Sequence, residues 1–110
     1  MELIVVAPDD DLHMEMVNER PRSASIGEEV SVTWEVPLAK AEGFPRLIEL
    51  TFHVAGDVSL ALAAHLIADW VLARFKGKAD KIVVNRREIE FEAGEVRRII
   101  EETITQERGR

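Results

Sequence analysis

Between Val58 and Phe75 the chain carries a run that, wound as a helix, is apolar around nearly its whole circumference. That run restricts the fold more than any other part of the sequence. Leu60, Leu66, Ile67, Trp70, Val71 and Phe75 cover one broad side, and Ala61, Ala64 and Ala68 form a small-residue flank. Only His65, Asp69 and Lys76 make a polar stripe. A helix of this kind is buried on more than one side. Its broad side is expected to meet a sheet, and the alanine flank to admit a close neighbour, either the C-terminal helix or another subunit. Asp57 is the expected N-cap and Gly77 the expected stop. Arg74, Lys76 and Lys78 gather at the end where the helix dipole favours cations. The run is interrupted by His65, Asp69 and Arg74, whereas a membrane span needs about 20 predominantly apolar residues, so a span is rejected.

Four segments have strand character. Glu2–Ala7 is a continuous β-rich run suited to an interior strand, and it reads as a strand rather than a secretory signal because no basic residues lead into it. Val30, Val32, Trp34 and Val36 alternate with polar residues, as do Ile48, Leu50, Phe52 and Val54, the pattern of half-buried strands. Pro37, Gly43 and Pro45 mark a long hairpin loop between these two strands. Lys81–Asn85 and Arg87–Glu92 form a second hairpin. With a turn at Asn85-Arg86, Ile82 faces Ile89 and Lys81 faces Glu90. Arg86 is the weak point, since a type I′ turn prefers glycine there, and a longer turn through Arg87 would shift the register.

Leu12, Met14 and Met16 alternate with His13 and Glu15, which suggests a short strand over residues 12–17, and Arg20 to Gly27 reads as a loop. Near the C-terminus Val96, Ile99, Ile100, Thr103 and Ile104 follow the spacing of a one-sided surface helix, with Glu95 in its first turn. A chain of 110 residues with 46% apolar and 32% charged residues makes one folded domain, spanning 1–110. The expected class is α+β: an antiparallel-dominated sheet of about five strands, two helices packed on one face, element order β(β)ββαββα. A sheet covered on one side leaves its other face exposed or used in assembly, and a symmetric dimer is the commonest way to bury such a face.

Net charge is −7, unevenly spread. Residues 1–73 hold 13 acids against 4 bases, and residues 74–110 hold 8 acids against 10 bases. The acidic first half argues against a nucleic-acid footprint, which needs clustered Lys and Arg. The absence of cysteine excludes disulfides, thiolate metal sites and a thiol nucleophile, and fits a cytoplasmic setting.

Chemistry has few footholds. Asp9, Asp10 and Asp11 with His13 and Glu15 could hold a hard cation, but the spacing does not match an EF-hand, and a solvated acidic turn is the simpler reading. His65 and Asp69 share a helix face at i, i+4. With His53 they have the makings of a facial metal triad or an acid–base pair, although a polar stripe must contain something. No serine has a nucleophile-elbow context and no glycine-rich phosphate loop is present. No catalytic residue and no cofactor is therefore assigned. Arg86, Arg87, Arg97 and Arg98 could form a basic patch for an acidic partner, and Ala61, Ala64 and Ala68 a close-contact surface.

From Asp57 to Ile104 the order is an Ala/Leu-rich helix ending in Trp70 and basic residues, then the hairpin Lys81-Ile82-Val83-Val84…Glu88-Ile89-Glu90-Phe91, then Glu95-Val96-Arg97-Arg98-Ile99-Ile100-Glu101. This order resembles the small effector-associated constant component domains of bacterial conflict systems, and the resemblance implies a non-catalytic association module. It assigns no residue a role. Three readings follow: a non-enzymatic protein-interaction module that self-associates as a homodimer; a small immunity or antitoxin-type protein whose acidic half covers a basic partner; and an enzyme using His53, His65 and Asp69. None of them involves nucleic acid or a membrane.

Overall fold

The computed structural model describes residues 1–7, 10–37, 46–79 and 81–108. Six strands, β1 (Glu2–Ala7), β2 (Ser23–Ser25), β3 (Val30–Glu35), β4 (Arg46–Val54), β5 (Lys81–Val84) and β6 (Arg87–Glu90), form one sheet in the order β2-β3-β4-β1-β5-β6. Every pairing is antiparallel. Three helices, α1 (Asp10–Asn18), α2 (Leu60–Phe75) and α3 (Ala93–Arg108), complete an α+β domain.

The strand period is what sorts the two faces. Leu3 and Val5 of β1 pair across to Leu50 and Ile48 of β4, and Val5 pairs on its other side to Ile82 of β5. Val32 and Trp34 of β3 pair to Phe52 and Leu50. All of these side chains are buried in one cluster, to which α1, α2 and α3 each contribute, so the three helices cover a single face. Complete burial of an aliphatic side chain contributes about 1.5–3 kcal/mol, and this layer is the main source of stability.

Helix α2 packs as its sequence demands. Trp70 sits against Trp34 and Phe52 with ring centroids 6.1 and 6.0 Å away, which anchors the broad side on β3 and β4. Ala64 and Ala68 are buried, and they line a cleft with Arg97 and Glu101 of α3. The close neighbour of the alanine flank is thus α3 of the same chain. The helix start differs from expectation: Ser59, not Asp57, is the N-cap, its Oγ accepting the Leu62 N–H at 3.1 Å. The expected stop is present, with Gly77 in the left-handed region at φ +80°.

Two differences lie in residues 10–25. Residues 12–17 form part of α1 rather than a strand, and β2 replaces part of the expected loop. Leu12 and Met16 are four apart, a spacing that suits one helix face, and both are buried while Met14 is 49% exposed. Glu19 pairs with Arg74, and Glu15 with Lys78 at 3.2 Å, which ties α1 to the end of α2. Among the described residues the sheet therefore has six strands and the helical layer three helices, in the order βαβββαββα. Of the two β5–β6 registers the sequence left open, the structure has the one that a turn at Asn85-Arg86 gives, with Lys81 opposite Glu90 and Ile82 opposite Ile89. Asn85 and Arg86 hold φ 51° and 64°, as a type I′ turn requires. Gly43 and Pro45, assigned to the β3–β4 loop, lie outside the described residues.

Candidate functional site

Opposite the helices, the second face of the sheet carries the outward residues of each strand, and the register arranges them in rows. One row runs Glu35, Glu49, Ile4, Val83, Glu88 from β3 to β6. The next runs Leu47, Val6, Lys81, Glu90. On the other side lies Ser23, Thr33, Thr51, Glu2, and beyond it Ser25, Ser31, His53. Ile4, Val83, Val6 and Leu47 thus form a contiguous half-buried apolar block, with exposed glutamates at both ends. Among the described residues no helix lies on this face. An open depression of about 370 Å³ lies beside the block, bordered by Glu2, Ile4, Thr33, Glu35, Glu49 and Thr51.

The charge on this face is not balanced. Lys81 pairs with Glu88 at 2.6 Å, but Glu2, Glu35 and Glu49 make no ion pair among the described residues. Glu35 and Glu49 stand directly opposite each other, a cross-strand arrangement that like charges destabilise. The helical layer is different. Arg97 pairs with Asp69 at 2.6 Å, and Arg98 lies between Glu95 at 2.7 Å and Glu102 at 2.9 Å. Two of the four arginines proposed as a basic patch are therefore neutralised within the chain. Arg86 and Arg87 are exposed at the β5–β6 turn.

The metal and acid–base candidates do not converge. His53 is on the open sheet face, where its Nε2 lies 3.2 Å from Thr33 Oγ1. His65 and Asp69 are on the outer side of α2, on the far side of the sheet, paired at 3.0 Å. Asp69 also holds Arg97, and the His65 side chain is 62% exposed. A shallow cleft of about 210 Å³ adjoins His65, lined by Ala61, Ala64, Ala68, Arg97 and Glu101. It offers no enclosed wall to exclude water from an acid–base pair. Among the described residues no three His, Asp or Glu side chains are grouped to hold a metal ion. The cation site considered at Asp9, Asp10, Asp11 and His13 falls on side chains outside the described set. No described helix is long and apolar enough to cross a membrane.

Among the described residues three carboxylates have displaced acidities. Glu92, just before α3, accepts the backbone N–H groups of Gly94 and Glu95, each at 3.0 Å, and these bonds hold its carboxyl below the usual range. The Arg98 hydrogen bond lowers Glu95 in the same way. Glu29 is pushed up by the neighbouring charge of Asp57, so Asp57 faces another carboxylate rather than capping α2. Sequence reasoning missed Glu92, and its signal was a carboxylate ahead of the helical run. It also missed the apolar block and its glutamate ends, because strand order alone sets Ile4 beside Val83 and Glu35 beside Glu49.

No protein-family model, curated protein or solved structure matches the chain.

Proposed function

We propose that the chain is a non-enzymatic protein-interaction module that docks its partner on the open face of the sheet. The observation that carries this reading is the apolar block of Ile4, Val6, Leu47 and Val83 on a face that no described helix covers. Isolated apolar side chains are ordinary on a surface, but a contiguous block flanked by charged residues is the pattern of an interaction site, with a water-excluding centre and a polar rim. His53 stands apart from the His65–Asp69 pair, so the three residues that the sequence offered do not share one site. The association role implied by the resemblance to effector-associated constant component domains points the same way.

The test uses a photo-crosslinking residue at Leu47 or Val83, with Thr105 on the exposed side of α3 as a control. A discrete partner is expected from the sheet positions only. It must then bind the purified chain in a way that Ile4→Glu abolishes while circular dichroism stays unchanged. Equal crosslinking from Thr105, or binding that survives Ile4→Glu, would refute the assignment.

A further inference from the structure

Resting on the assignment of the open face as a docking surface, we infer that its occupant is a cationic protein segment with an apolar stripe, and not a second copy of this chain. The face has an apolar centre with carboxylates on one side, at Glu35 and Glu49, that make no ion pair among the described residues, and carboxylates again on the other, at Glu88 and Glu90. From β3 to β6 there are four inter-strand spacings, so the acidic ends stand about 19 Å apart at ~4.8 Å per spacing. A helix of about 13 residues covers that span. Its apolar stripe would lie over Ile4 and Val83, and its flanking Lys or Arg would reach the carboxylates at both ends.

Charge decides between the two occupants. In a two-fold, face-to-face pair the same surface meets itself, so each glutamate row approaches another glutamate row. Among the described residues the one lysine on the face, Lys81, is already engaged by Glu88. Each copy also brings a net charge of −7. Like-charge juxtaposition suppresses a partner and opposite charge selects one, so the same glutamates that oppose a homodimer attract a basic segment. The sheet edges offer a second copy little purchase: β2 has three residues and β6 has four. Short and charged edges are how sheets avoid strand pairing between chains.

The probe is a fluorescein-labelled amphipathic peptide of about 14 residues, Leu at helical i, i+3, i+4 spacing and Lys elsewhere, with a Glu-for-Lys peptide as control. Binding is read by anisotropy from about 25 to about 300 mM NaCl, a range over which the screening length falls to several Å. The cationic peptide is expected to bind, the anionic one not, and salt to weaken the complex. Glu49→Lys on the open face should weaken binding by about fivefold or more, and Glu101→Lys on α3, the same change in net charge, by less than about twofold. Ile4→Thr should weaken it without altering the salt dependence. Equal losses from Glu49→Lys and Glu101→Lys would mean that net charge alone attracts the peptide, and would overturn the inference. Sedimentation supplies the other arm. A dimer that Ile4→Thr dissociates would overturn the cationic occupant and leave the docking face standing. A monomer that binds neither peptide would sink both.

Discussion

Replacing Glu49 by lysine should make the isolated domain more stable and its docking face worse. Glu49 lies directly across from Glu35 on β3 and beside Ile4 on β1. Directly opposed like charges on a sheet are destabilising, and opposed unlike charges are stabilising, by roughly 0.2–1 kcal/mol in each case. Glu49→Lys removes the first and creates the second. Both side chains are exposed, which keeps each contribution at the low end. The sum is about 0.5–1 kcal/mol, or a rise in Tm of about 2–5 °C for a domain of this size. Glu49→Gln removes only the repulsion and should give about half of that. Glutamate and lysine are similarly poor strand formers, so propensity does not account for a gain. The assay is urea unfolding of wild type and both variants at low and high salt. In about 1 M NaCl, where the Debye length is about 3 Å, the differences should nearly vanish. Variants less stable than wild type, or a gain undiminished by salt, would refute the electrostatic argument. A repulsive pair kept on an exposed strand face is a stability cost that function has to explain.

Other consequences are local. Ser59→Ala removes the side-chain acceptor at the start of α2 and should cost about 1 kcal/mol by urea unfolding, whereas Asp57→Ala should cost less, since Asp57 is not the cap. Arg86→Gly should raise stability by about 0.5 kcal/mol, because relief of a left-handed conformation, about 1 kcal/mol, exceeds the entropy that glycine adds to the unfolded chain. The folded acidity of Glu92 lies below its ordinary value of 4.5, so its stabilising effect is present above that pH and is lost as pH falls through the lowered value. Glu92→Gln should therefore lower stability at neutral pH and flatten the acid limb of the stability–pH curve below pH 4.5, so that the variant and the wild type converge at low pH.

Much of the fold was legible because burial imposes a period. Val30, Val32 and Trp34 alternate inward and do form β3, and Ile82 faces Ile89 as the Asn85-Arg86 turn dictates. Where one pattern served two periods, sequence reasoning failed. Leu12, Met14 and Met16 fit a strand, but Leu12 and Met16 also fit a helix, and the core lies on the helical side. The N-cap of α2 was misplaced because Asp57 and Ser59 are both good caps, and only the turn that precedes the helix, with the Val58 N–H on the Ala55 carbonyl, selects Ser59. The open face was visible only as an expectation that one side of the sheet would be uncovered. Its chemistry depends on β1 inserting between β4 and β5, a long-range choice that no local spacing records.

The most direct test of that face is a methyl chemical-shift map of the chain with and without the cationic peptide. If the open face is the docking surface, the methyls of Ile4, Val6, Leu47 and Val83 should shift, and those of Leu62 on α2 and Thr105 on α3 should stay in place. Shifts centred on the helical layer, or spread evenly over both faces, would contradict it.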